Sequence, residues 1–512
     1  MEDEKEVFIN LKPSIPALPR IGDKTKVNIR YALISPFAFA HIYWDEKSGE
    51  LVYEVEEPVL NDEEKKILER IETSMREVIN INVLVEKTNE AMISYINKTA
   101  ELLISELNLK VSEETYKKIF YYLFRDFIGL NEIEPLMRDY FIEDIECNGA
   151  KTPFYIVHRI YRNLKTNVMF NDVDVSANFV EKLAQRCGRY ISYAAPLLDG
   201  TLPDGSRVNA TYSTDITSKG PTFTIRKFTK VPWTPIQLIS FNTLSPEMLA
   251  YFWILVQYKS NILITGGTSS GKTTLLNALA FFIPPESRVV SIEDTREINL
   301  PRENWLPSVA RTAIGVGKTG EVDLFALLRN SFRQNPDYVI VGEVRGKEAF
   351  VLFQGMASGH SSISTMHADS VDTVVKRLET PPIELSPTLL NTLDVVAIMS
   401  HTVINKEQTR RLRAVTEVVN VDPKGIALTN TPFMWNPSDD KFYFKKDSKV
   451  FDKIIERYGL TKEEIQREFR LRTRLIYEMF RRKIFGFERV QKEINEYYKN
   501  PESILKRYGI VE

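Results

Sequence analysis

The chain has 512 residues, which at roughly 100–200 residues per domain makes about three domains. Hydrophobic residues make up 43% and charged residues 27%, a globular composition that excludes collagen-like, mucin-like and mostly disordered chains. Lys plus Arg number 67 against 69 Asp plus Glu, a net charge of −2, which argues against a protein that coats nucleic acid. Residues 1–28 hold three prolines and little periodicity, and they read as a flexible or extended arm. The opening MEDEKEVFIN has neither a basic nor an apolar stretch, so no secretory signal is expected. Residues 29–60 alternate as strands (KVNIRYALI, FAHIYWD, GELVYEVEEP), with EKSGE as a turn. From Asp62 to about Phe127 the spacing turns helical.

Residues 140–230 are strand-rich again, with Phe154–Val157 and Thr222–Ile225 as β-prone runs around the Gly- and Asp-rich LLDGTLPDGSRVNAT. VPWTPIQLIS at 231–240 reads as a linker. Beyond it, apolar strands at Asn261–Thr265, Arg288–Ile292 and Tyr338–Val341 alternate with helices, the pattern of an open parallel sheet. Residues 450–512 are helical and highly charged, which predicts an exposed face for partner contacts. The apolar windows Tyr31–Trp44 and Met248–Gly267 are too short or too interrupted to span a bilayer. Cys147 and Cys187 form neither a disulfide framework nor a zinc pattern and read as thiols of a reducing cytoplasm.

Four motifs carry chemistry. Gly266-Gly267-Thr268-Ser269-Ser270-Gly271-Lys272-Thr273 fits G-x-x-x-x-G-K-[ST] between a strand and a helix. Such a loop turns backbone amides toward phosphate oxygens at a helix N-terminus. Lys272 would reach the β- and γ-phosphates, and the Thr273 hydroxyl would hold Mg²⁺. The strand Tyr338–Val341 ends in Gly342-Glu343, with glycine where such strands usually carry aspartate, so Glu343 is expected to act on the metal or the attacking water. A second strand ends in Glu293-Asp294, so two carboxylates at neighbouring strand ends would divide base and metal work; a capping acid is the plainer alternative. Two of the five histidines, His360 and His367, lie in GHSSISTMHAD without metal-ligand spacing. Positive charge for a transition state is sought in Arg207 and Arg226, with Arg311, Arg329, Arg333 and Arg345 as further candidates.

In this order, GGTSSGKTT, SIEDTREINLP, VIVGEVRGKEA and GHSSISTMHAD resemble the motifs of the secretion/type IV pilus ATPase superfamily. YYLFRDFIGLNEIEPLMRD, IEDIECNG and LLDGTLPDGSRVN look like its archaeal branch, and the whole is most similar to the archaellum assembly and motor ATPase. The resemblance implies an α/β fold. A RecA-like P-loop ATPase domain would span 241–512, following an α+β region at 29–230 that has a PAS-like, strand-rich part over about 140–230. It implies ATP and Mg²⁺ as cofactors, with Gly266 to Thr274, Thr274 included, binding the phosphates and the metal. Glu293 becomes the implied catalytic base, Glu343 the metal or water ligand, His367 the γ-phosphate sensor, and Arg207 and Arg226 the arginines that approach the phosphates. A homo-hexameric ring at the inner face of the cell membrane is implied, with a polytopic membrane platform and cytoplasmic motor components as partners and no nucleic acid. RRLRAVTEVV resembles the family's G-x-R-x-V strand, with Arg411 in place of glycine. Two other classes stay open on the residues alone: a P-loop nucleic-acid translocase, and a nucleotide-gated scaffold.

Overall fold

The computed structural model describes residues 9–11, 16, 18, 19, 23–78, 89–228, 231–311, 320–404 and 407–510. Most of the predicted N-terminal arm therefore lies outside the described residues. The chain divides into two units, Met1–Phe228 and Thr229–Glu512.

Among the described residues of the first unit, nine strands form one sheet: β1 (Asn28–Ile34), β2 (Ala38–Asp45), β3 (Glu50–Glu56), β4 (Ile142–Cys147), β5 (Tyr155–His158), β6 (Arg162–Thr166), β7 (Leu197–Thr201), β8 (Arg207–Thr211) and β9 (Thr222–Arg226). Their order is β1-β2-β3-β6-β5-β4-β9-β8-β7. The two strand groups seen separately in the sequence are thus one sheet, joined where Val52 and Tyr53 pair in parallel with Lys165 and Thr166. Helices Asp62–Val78, Asn89–Glu106 and Glu113–Leu123 fall in the predicted helical section. The first buries Ile71 and Met75, four residues apart on one face. A further helix, Val173–Arg186, interrupts the stretch read as strands. Asp172 caps it by accepting from Asp174 N at 2.8 Å. Phe179, Val180, Leu183 and Ala184 supply its buried face, a stripe too short to stand out among β-prone neighbours.

Among the described residues the second unit also holds nine strands: β10 (Ile262–Gly266), β11 (Val289–Glu293), β12 (Trp305–Val309), β13 (Tyr338–Val341), β14 (Ser361–Met366), β15 (Val395–Ile404), β16 (Glu407–Val421), β17 (Ala427–Asn436) and β18 (Lys441–Phe444). The order is β12-β11-β13-β14-β10-β15-β16-β17-β18. Pairing is parallel from β12 to β15 and antiparallel from β15 to β18. Alternate residues enter two cores: Ile262, Ile264, Val289, Tyr338 and Ile340 on one side, and Leu263, Val290, Ile292, Val339 and Val341 on the other. A sheet buried on both faces explains the unbroken apolar runs of the sequence.

Within residues 231–240, read as a linker, Pro235–Ser240 is helical. Thr234 Oγ1 accepts from Gln237 N at 3.3 Å, and Gln237 Oε1 accepts from Thr234 N at 2.9 Å. This is a capping box with Pro235 at the first helical position, where its missing N–H costs nothing. Ile236 and Leu238 join the core.

The C-terminal helices Lys449–Tyr458, Lys462–Arg481, Phe487–Lys499 and Pro501–Tyr508 are likewise built into the unit rather than standing free. Leu471, Leu475, Ile476 and Met479 pack in one core cluster with the buried helix Pro246–Gln257. Arg472 is buried among them, donating to Glu468 Oε2 at 2.9 Å, with its guanidinium 5.1 Å from the Trp253 ring and 5.3 Å from Tyr497. Among the described residues no helix is long and apolar enough to cross a membrane, and Cys147 and Cys187 carry free thiols.

Candidate functional site

Four neighbouring parallel strands end at the same edge of the second sheet, and each delivers one of the motifs. Gly342 N donates to Ile292 O at 2.9 Å, and Val344 N donates to Thr365 O at 2.8 Å, so Glu293, Glu343 and His367 leave adjacent strand ends beside Gly266. The C-terminal ends of such strands are where open α/β sheets bind ligands.

After β10 the chain turns back sharply. Gly266 has φ +150°, and a Cβ there would stand 2.5 Å from Met399 O. Gly271 has φ +93° and begins the helix Lys272–Ala280. Lys272 is buried, and its Nζ donates to Gly267 O at 2.9 Å and Gly266 O at 3.2 Å, so the ammonium sits in the mouth of the loop. Burial lowers its pKa, an effect that the nearby Glu343 charge opposes. Ser270 Oγ donates to Gly267 O at 2.8 Å and braces the turn. Gly267, Thr268 and Ser269 are exposed, while Thr273 and Thr274 are half-buried in the first helical turn.

The two acids differ. Glu293 is buried, and its Oε1 accepts from the amides of Glu297 and Ile298, both at 2.8 Å. Its Oε2 is buried without a hydrogen-bond partner. Burial pushes the carboxyl up to about 8 against the pull of those two amides. A Cβ on Gly342 would lie 3.1 Å from Glu293 Cγ. The glycine in the usual aspartate position thus leaves room for a carboxylate from the neighbouring strand. Glu343 is half-buried; one oxygen is paired with the Arg345 guanidinium, and the other lies 3.0 Å from His367 Nε2 without hydrogen-bond alignment. His367 Nδ1 is 3.5 Å from Lys272 Nζ. Burial, and next the Lys272 charge, lower the His367 pKa, so the ring is neutral at pH 7. His360 lies away from this line and packs on the Phe332 ring, 4.8 Å between centroids.

The donors fit an ATP-bound Mg²⁺. They are oxygens, the Thr273 hydroxyl and the Glu343 carboxylate, of the kind a hard cation takes together with phosphates and water. Among the described residues no group of three or more His, Cys, Asp or Glu is placed to hold a metal.

Arg207 and Arg226 lie in the first unit, on the exposed face of its sheet. They are direct cross-strand partners, in a row running Asp144, Arg226, Arg207, Thr201 across β4, β9, β8 and β7. Arg207 pairs with Asp199 at 3.0 Å, and Arg226 with Asp144 at 3.1 Å. Of the further arginines, Arg311 donates to Gly320 O at 2.7 Å, Arg329 lies 5.8 Å from the Phe325 ring, and Arg345 reaches Glu343. Arg411 is buried and donates to both Asp440 oxygens at 2.7 and 2.8 Å, a structural pair in the position where the resembling motif has glycine.

Arg410 and Asn277, outside the motifs, and Thr365, within the fourth, brace the site. Arg410 Nε donates to Ser269 O at 2.9 Å, holding the tip of the loop from β16. Asn277 joins the helix to the acidic loop, donating to Glu297 O at 3.2 Å and accepting from Asn299 N at 3.1 Å. Thr365 donates to Gly342 O at 2.7 Å. Nothing in the local sequence marks Arg410, because its partner is 141 positions away.

Comparison with known proteins gives three kinds of match. A model of the Type II/IV secretion system protein family matches residues 129–431. An uncharacterised protein of Methanocaldococcus jannaschii is 34% identical over 526 residues, covering 98% of this chain and 94% of that protein. Type IV secretion system protein PtlH of Bordetella pertussis is 37% identical over 218 residues, covering 38% of this chain and 64% of PtlH. Among solved structures, the ATPase DotB of Yersinia pseudotuberculosis is 16% identical, covers 73% of this chain and 93% of that chain, and has a TM-score of 0.39.

Proposed function

We propose a motor role, on the premise that this chain belongs to the type II/IV secretion system protein family. In this reading it hydrolyses ATP and uses the resulting domain closure, within a homo-hexameric ring, to drive assembly or rotation of an archaeal type IV pilus-like filament, the archaellum. The full-length similarity to an archaeal protein supports the archaeal branch. The matches to secretion proteins favour archaeal pilus assembly or type II secretion as the alternative use of the same motor. The ring would dock on a polytopic membrane platform at the inner face of the membrane, with no role for nucleic acid.

The observation that carries the ATPase reading is the convergence of Lys272, Glu293, Glu343 and His367 on adjacent strand ends. Lys272 exchanges the carbonyls of Gly266 and Gly267 for β- and γ-phosphate oxygens, while amides at the start of its helix face the phosphates. Thr273 and Glu343 are the residues that would hold Mg²⁺, which when bound would supply positive charge against the phosphates. Glu293, a carboxyl titrating at about 8, takes a proton from the attacking water. His367, neutral between Lys272 and Glu343, reads the γ-phosphate through both. Arg207 and Arg226, from the same chain or a neighbour, supply charge at the transition state.

The test is steady-state ATP hydrolysis by the purified chain with Mg²⁺, titrated separately with single-stranded DNA and with archaeal-type lipid vesicles. Hydrolysis indifferent to DNA is expected, and Glu343→Gln should bind ATP yet turn over about 100-fold more slowly. Strong stimulation by DNA overturns the motor reading in favour of a translocase.

A further inference from the structure

The turn after Glu343 is built more firmly than a surface loop requires. Glu348 is buried at the start of the helix Glu348–Ala357, and its Oε1 accepts from Arg345 N at 2.6 Å and Gly346 N at 2.7 Å. A Cβ on Gly346 would meet Glu348 Oε2 at 3.2 Å, so the carboxylate also packs close under the turn. Those two amide bonds fix the backbone of Arg345, whose side chain folds back onto Glu343 Oε2. The Arg345 side chain is 66% exposed and that of Glu343 only 20%, so the guanidinium covers the acid from the solvent side. The other Glu343 oxygen then faces His367 Nε2 at 3.0 Å, with Lys272 Nζ 3.5 Å beyond on the far ring nitrogen. An ion pair with so exposed a cation contributes little to stability. The Glu348 carboxylate holds the backbone of Arg345, and the Arg345 side chain in turn pairs with Glu343, so the turn sets where the guanidinium starts from.

We propose that Arg345 is a positioning residue for hydrolysis: held by the Glu348 turn, it fixes one oxygen of Glu343 so that the other is presented toward His367 and Lys272. Without it, a flexible glutamate at a strand end samples several rotamers, and few of them present the oxygen correctly. The assignment rests on the ATP-hydrolysis reading above, and it distinguishes Arg345 from an arginine that contacts phosphate directly. It predicts a loss in turnover and none in nucleotide binding.

The test compares Arg345→Gln and Arg345→Lys with the wild-type chain by steady-state kinetics and by titration with a fluorescent ADP analogue. Arg345→Gln is expected to lower kcat about tenfold or more, with analogue affinity and Tm unchanged. Arg345→Lys, which keeps the charge, should recover part of the rate. A kcat within twofold of wild type overturns the assignment. So does a rise in kcat, which would mark the pair as a brake, or a parallel loss of analogue affinity, which would mark a phosphate contact. Wild-type protein that fails to hydrolyse ATP removes both the ATPase reading and this one, whereas normal wild-type turnover with an unaffected Arg345→Gln removes this one alone.

Discussion

The two nine-stranded sheets place their polar chemistry differently. Strands β10, β11, β13 and β14 are buried along their length, so polar groups free to meet a ligand emerge only at their ends, and Lys272, Glu293, Glu343 and His367 lie there. The first sheet is mostly antiparallel, and around β7, β8 and β9 it buries one face and leaves the other wet. Its candidate residues, Arg207 and Arg226, sit on that wet face in paired rows with Asp199 and Asp144. Strand-end chemistry is local in sequence, because each site residue follows its own apolar run. Sheet-face chemistry depends on register, because Arg207 and Arg226 are neighbours only once β8 and β9 pair.

The largest expected effect breaks the comparison at its stronger side. Lys272→Ala removes the ammonium from the mouth of the phosphate loop. Hydrolysis should fall by about 100-fold or more, with nucleotide affinity reduced in the same variant, as measured by coupled ATPase assay and calorimetric titration. Retained turnover would mean that the strand-end site is not where ATP reacts.

The next effect tests the sheet face. Arg207→Gln and Arg226→Gln should each lower kcat about tenfold, while Tm stays put, because exposed ion pairs contribute only about 0–1 kcal/mol. Unchanged kcat in both would reduce the row to surface salt bridges and confine the chemistry to the second unit.

The smallest effect sharpens the difference between the two acids. The Glu293 carboxyl is raised from its ordinary 4.5 to about 8, so the folded protein holds that proton through the intervening range. Activity that needs the carboxylate should then climb about fivefold between pH 7 and pH 8, and Glu293→Gln should abolish that limb. The stability contribution runs the other way: present in full below about pH 4.5, it is lost as pH rises through about 8. A flat rate profile with wild-type Glu293 would assign the base role elsewhere.

Much of the site was legible in the chain. The phosphate loop is announced by glycines at fixed offsets between an apolar strand and a helix, and β10, β11 and β13 lie within a residue of their predicted bounds. Inside the stretch read as a linker, Pro235 opens a short helix, because proline marks helix starts as well as breaks, and the Thr234–Gln237 capping box distinguishes the two. The charged C-terminal segment is helical as read, and its composition hides the amphipathic stripe that carries Leu471, Leu475 and Met479 into the core.

The sequence by itself determined where the glycine-rich loop between strand and helix falls, because glycine conformations, a lysine and a hydroxyl at set spacing are properties of one short segment. It also set the parallel strands, through their unbroken apolar runs. Only the tertiary structure decided how the segments serve one another. It brought Glu293 against Gly342, aimed Arg345 at Glu343 through the buried Glu348, set His367 beside Lys272, and tied Arg410 to the loop tip. Those pairings come from strand order and packing, which bring distant segments to one sheet edge, and no local spacing encodes them.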